Sequence, residues 1–212
     1  MGIKIFFSEL FRKLLNRHDV VQAFEVEFEK RLDQTKVLYD YQGGRKLLDI
    51  REVFKGTEAE DNALRVFFKD AMELKDNDIK VLIIAKTVNN HLTYRSDRGN
   101  YGKVEWWARP YDVMMRKVDD CDGYAVLIFK AMMLAGIPEY RRRLVAGSVV
   151  GGGHAYVLYL SEKWNVWCAI EGSYYAEDAL SMFVKGTGYI DNPKYKDIWF
   201  STTENRSFVR TT

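Results

Sequence analysis

Lys+Arg 32 against Asp+Glu 30 leaves this 212-residue chain with a formal net charge of +2, which supplies no general attraction for nucleic acid or acidic membranes. Its 47% hydrophobic and 14% aromatic content fits a globular chain of one large domain, or one domain with an extension. Two cysteines make no disulfide framework, no apolar run reaches the roughly 20 residues that span a bilayer, and Glu9, Arg12 and Lys13 interrupt any secretory signal, so a cytoplasmic, reducing location is expected.

In chain order, residues 3–16 form an amphipathic helix pattern: Ile3, Phe6, Phe7, Leu10, Phe11, Leu14 and Leu15 make one stripe, with Lys4, Arg12, Lys13 and Arg17 around it. Such a helix either packs on its own domain or docks on a membrane surface or a protein partner. Residues 19–32 fit both a strand alternation and a helical face, and Glu, Lys and a capping Asp19 favour helix. Gln42-Gly43-Gly44-Arg45 reads as a turn. Helices are predicted over Glu60–Leu74 and Asp78–Leu92, each with a run of apolar residues on one side. A turn-rich stretch, 94–103, leads to Trp106-Trp107 ahead of Pro110, and paired indoles belong in a core or a cleft.

Residues 119–138 (DDCDGYAVLIFKAMMLAGIP) organise the rest. Asp120 is placed to cap a helix and Asp122 to sit in its first turn. Gly136 and Pro138 stop it. Ala125, Ile128, Met132 and Ala135, widened by Leu127, Phe129 and Leu134, make it nearly all apolar. Cys121 then opens a buried helix. There the unpaired N–H groups favour thiolate and can hold the oxyanion of a tetrahedral intermediate. Asp120 and Asp122 oppose ionisation of the thiol. The alternative is a small apolar residue that merely begins a core helix.

Beyond this helix the period changes to two. Arg141–Val150, His154–Leu160 and Trp164–Ile170 read as strands, the last two as a hairpin, with further edge strands at Asp197–Ser201 and Ser207–Arg210. Arg141-Arg142-Arg143 reads as a solvated strand start. Helices followed by a mostly antiparallel sheet define an α+β fold. The hairpin brings His154, at the start of one strand, beside Glu171, at the end of the next. If the cysteine helix packs on that sheet, Cys121 as nucleophile, His154 as base and Glu171 as orienting carboxylate can meet. His18 and His91 read as surface residues and Cys168 as core. No cofactor is implied, and no metal: the region lacks any zinc ligand pair.

Asp120-Cys121-Asp122 opening a helix that ends in Gly136-Ile137-Pro138, then His154-Ala155-Tyr156-Val157 and a strand ending in an acid, resembles the transglutaminase-like superfamily. The bacterial and phage transglutaminase-like cysteine peptidases are the nearest pattern. Tyr94, Ser96-Asp97, Tyr101-Gly102 and Glu105-Trp106-Trp107 before Pro110 also resemble that group. The resemblance covers about residues 60–175. It divides the chain into an N-terminal extension, 1–58, and a transglutaminase-like domain, 59–212. It implies a papain-like core and a Cys121–His154–Glu171 triad acting on amides through a thioester; beside this, the indole N–H of Trp106 or Trp107 is the candidate side-chain donor at the oxyanion. Two positions depart from the family pattern: Asp119 stands where Gly is usual, and Glu171 where Asp is usual. The expected function is a cysteine-dependent amide hydrolase or acyltransferase, foremost a peptidase, whose partner is a peptide or protein amide and not nucleic acid. A non-catalytic binding or phage virion-structural module that kept the fold, virion-associated and bound to phage structural proteins, is the alternative.

Overall fold

The computed structural model describes residues 32–33, 38–40 and 47–210, with side chains from 49 to 207. The expectations for residues 3–16, for most of 19–32, for 42–45 and for His18 lie outside the described residues.

Leu32–Asp33 forms strand β1, Leu38–Asp40 and Leu47–Asp49 form a small antiparallel pair, β2 and β3, and a 3₁₀ turn follows at Ile50–Phe54. The helical layer is α1 (Glu58–Phe67), α2 (Lys69–Met72), α3 (Asn77–His91), α4 (Asp97–Tyr101), α5 (Pro110–Arg116) and α6 (Cys121–Leu134). A short parallel pair, β4 (Thr93–Tyr94) and β5 (Val118–Asp119), ties the start of α4 to the start of α6. The sheet then follows: β6 (Arg142–Val149), β7 (Gly152–Leu160), β8 (Trp167–Ile170), helix α7 (Ala176–Val184), β9 (Tyr195–Thr202) and β10 (Ser207–Arg210). Its order is β1-β10-β9-β6-β7-β8, antiparallel throughout. The fold is α+β, with the cysteine helix packed on the sheet. Among the described residues no helix is long and apolar enough to cross a membrane.

Local chemistry sets these boundaries. Thr57 caps α1 in a reciprocal capping box with Glu60, and Asp76 caps α3 by accepting from the Ile79 amide. Helix α6 ends in a Schellman motif: Gly136 takes φ 74°, the Ile137 amide donates to the Met132 carbonyl and the Gly136 amide to that of Met133. Every residue of α6 from Asp122 to Met132 is buried, which explains a helix that is apolar on nearly all sides. Even Lys130 is covered; its ammonium donates to the Phe54 carbonyl and to Asp61. Ile50, Val53 and Phe54 lie in this same core.

The sheet buries both faces, so its strands read as continuous apolar runs. Ala155, Val157 and Tyr159 turn toward the helical layer, and Tyr156, Leu158 and Leu160 toward a second cluster with Val145, Trp167 and Tyr195. Arg141, Arg142 and Arg143 are buried, correcting the solvated strand start. Arg141 donates to the Leu160 carbonyl and pairs with Glu162, Arg142 donates to the Ile137 carbonyl and to Glu204, and the Arg143 guanidinium lies 5.9 Å from the Trp167 ring. Guanidinium groups are tolerated inside only where such acceptors and ring faces meet them. His91 is half-buried at the surface: its Nε2 is 2.7 Å from the Met114 carbonyl oxygen and its ring packs on Phe67.

Candidate active site

Three elements deliver the site. Helix α6 places Cys121 at its first residue, β7 carries His154, and Glu171 follows β8 directly. In the β7–β8 ladder Ile170 pairs with Val157, so Glu171 falls a short diagonal step from His154. His154 Nε2 is 3.0 Å from one Glu171 carboxylate oxygen and 2.9 Å from the other, both residues being buried. With Nε2–H given to the carboxylate, Nδ1 is the ring nitrogen left as an acceptor. The ring is held between Tyr156, stacked at 6.1 Å, and the edge of Tyr175 at 5.4 Å. The amide of Ala155, the residue after His154, donates to the Cys121 sulfur.

A further side chain joins the His154–Glu171 pair. The buried Tyr195 donates from its hydroxyl to Glu171 Oε1 at 2.9 Å. Tyr195 comes from β9, 24 residues beyond Glu171, and nothing in its local pattern marks it. Only strand order, which puts β9 beside β6, brings it in.

Sequence reasoning also missed a carboxylate cluster beside Cys121. Asp97, Asp119, Asp120 and Asp122 bring one carboxylate oxygen each within 4.8 Å of one another. The Asp97 amide donates to Asp120 and the Tyr101 hydroxyl to Asp119. Oδ1 of Asp97, Asp120 and Asp122 is buried with no hydrogen-bond partner. Burial and mutual repulsion push these acids up, Asp97 to about 8 and Asp119 to about 6, with Asp120 raised and Asp122 raised well above the usual range. The only advance signal was the run Asp119-Asp120-Cys121-Asp122; Asp97 joins through the β4–β5 pairing.

That surplus of negative charge acts on the thiol. Burial, then Asp122 and Asp120, push Cys121 well above its usual range, Glu171 adds to this, and the Ala155 amide opposes it. The two tryptophans take different places. Trp107 is buried in the core and its indole N–H donates to Glu105. Trp106 gives its amide to Asp97 and packs on Tyr101, lining a cavity of about 650 Å³ with Arg109, Met115 and Arg116. Cys168 is in the core.

Helices layered on an antiparallel sheet, with a buried helix headed by cysteine, give the chain a fold similar to that of LapG. Among solved structures, calcium-bound LapG of Legionella pneumophila matches with a TM-score of 0.54 at 13% identity, covering 77% of this chain and 87% of that one. A cysteine protease from Cytophaga hutchinsonii (TM-score 0.42, 17% identity, 59% of this chain and 42% of that one) and a TGase (TM-score 0.43, 19% identity, 57% and 34%) also match. By sequence, neither a protein family nor a curated protein matches the chain.

Proposed function

We propose that the chain is a cysteine-dependent amide hydrolase or acyltransferase, foremost a peptidase, acting on peptide or protein amides. The observation that carries the reading is the buried His154–Glu171 pair on a strand whose next residue, Ala155, gives its amide to the Cys121 sulfur at the head of a helix. In this scheme His154 Nδ1 takes the thiol proton, and Glu171 fixes the tautomer and stabilises the imidazolium. Sulfur attacks the amide carbonyl and the oxyanion meets the α6 N-terminal amides. Protonated His154 then gives its proton to the leaving amine, and water or a second amine resolves the thioester. Trp106, whose backbone amide donates to Asp97 in the acid cluster, is the side-chain donor we assign to the oxyanion.

The same reading includes a divalent cation held by Asp97, Asp119, Asp120 and Asp122. Three buried carboxylates and the half-buried Asp120, with three unpartnered oxygens among them, make an all-oxygen donor set suited to a hard cation. The LapG structure with the same fold is calcium-bound, which makes calcium the choice. Bound there, the cation supplies positive charge beside the thiol, offsetting the acids that oppose its ionisation. The carboxylates are the holders, and Tyr101 keeps Asp119 in place.

Iodoacetamide labelling of Cys121 across about pH 5 to 9 tests the triad. The expected result is a rate above that of a free thiol, lost in His154→Ala; a rate that His154→Ala leaves unchanged returns the chain to a binding module. In a peptide-cleavage assay, Cys121→Ala abolishes turnover and His154→Ala lowers kcat by about 10²–10⁴-fold.

A further inference from the structure

The ladder between β6 and β9 slips by one residue: Ala146 faces Phe200, yet Gly147 faces Ile198, so Trp199 is the extra residue of a bulge. Bulges beside a site commonly re-aim a side chain. Trp199 stays 47% exposed, large for an indole held in place. Its N–H donates to Ser148 Oγ at 2.9 Å, and its ring crosses β6 to lie over Gly153. A Cβ on Gly153 would stand 2.7 Å from the ring, and Gly153 has no positive φ, so glycine here provides space and not conformation. By strand alternation Gly153 presents that side toward the helical layer, as Ala155 does.

The other half of the observation is an open strand edge. β8 begins to pair with β7 only at Val157, so among the described residues 152–156 have no strand beside them on that side. The Ala155 amide points out of that edge, because it donates to the Cys121 sulfur. Period two then puts the Gly153 N–H and C=O on the same edge, one step beyond the sulfur and exposed to solvent.

We infer that Gly153 and Trp199 form the recognition face for an extended polypeptide: its backbone adds to β7 at the Gly153 edge, and a large apolar side chain lies on the Trp199 ring. Main-chain pairing of this kind gives affinity without sequence, and the aromatic wall gives selectivity. The substrate is then an unfolded or loop segment of a protein carrying Leu, Met or an aromatic residue near the cut, not a free small amide. This rests on Cys121 being the nucleophile.

The test uses the full chain with calcium present and a mixed octapeptide library, its cleavage sites read by mass spectrometry, alongside iodoacetamide labelling of Cys121. Expected for the wild type is enrichment of large apolar residues at one position. Trp199→Ala loses that enrichment and about tenfold in kcat/KM, while its labelling rate stays within about twofold of wild type. Trp199→Phe, which keeps a ring, restores most of the preference. Turnover with an unchanged profile in Trp199→Ala overturns the recognition face and leaves the triad standing. Reactive Cys121 with no octapeptide cut overturns the extended-peptide substrate. Labelling indifferent to His154→Ala removes the triad, and the recognition face with it.

Discussion

At the scale of single residues, the departure from Asp to Glu at 171 has a physical answer. A carboxylate one methylene longer has an extra rotatable bond, so orienting an imidazole with it requires that the carboxylate itself be fixed. Tyr195 does this from the far side, sharing Oε1 with His154 while Oε2 faces Nε2 as well. Burial and the adjacent carboxylate push the Tyr195 phenol far above its ordinary value, so it remains a donor across the working range. Tyr195→Phe is expected to lower stability by about 1 kcal/mol in urea denaturation, the usual net worth of one hydrogen bond. Turnover should fall more than that loss implies, because Glu171 gains freedom. Glu171→Gln should keep the fold by circular dichroism and lose rate; an unfolded Glu171→Gln would make the residue structural and end the triad assignment.

At the scale of elements, Asp119 explains a glycine that helix propensity disfavours. A Cβ on Gly123 would lie 2.3 Å from Asp119 Cγ, so the first turn of α6 is open because an acid from β5 fills the space. Gly123→Ala is expected to cost about 1–3 kcal/mol through overpacking. Adding Asp119→Gly should recover most of it, a coupling that thermal melts of the two single variants and the double would measure. Helix α6 with Cys121 at its head, the hairpin of β7 and β8, and the pairing of His154 with Glu171 were legible because each rests on local signals: caps, a stop at Gly136, period-two runs, chain spacing. Tyr195, Asp97 and Trp199 were not, since each reaches the site through strand order, a parallel pairing or a bulge. Helix α7 was missed, and the Arg141–Arg143 run was misplaced because charge alone says nothing of the carbonyls waiting to receive it.

At the scale of the whole molecule, the acid cluster ties stability to pH and, if it holds the proposed cation, to that cation as well. An acid whose folded pKa is raised binds its proton more tightly folded than unfolded. Its contribution is therefore present at low pH and lost as pH rises toward the folded value. For Asp119 the window runs from the ordinary value of 3.8 to about 6, and for Asp97 from 3.8 to about 8. In chelator, the melting temperature should thus fall as pH rises from about 4 to about 8. A divalent cation held there as proposed would compete with those protons and bind the folded cluster alone, so it would stabilise by mass action, most where the acids are ionised. The calcium-induced rise in melting temperature should accordingly be larger near pH 8 than near pH 5, and absent from Asp122→Asn at either. Calorimetry in calcium and in chelator checks this. A calcium shift equal at both pH values, or retained in Asp122→Asn, would locate the cation elsewhere and leave the four carboxylates as proton holders beside the thiol.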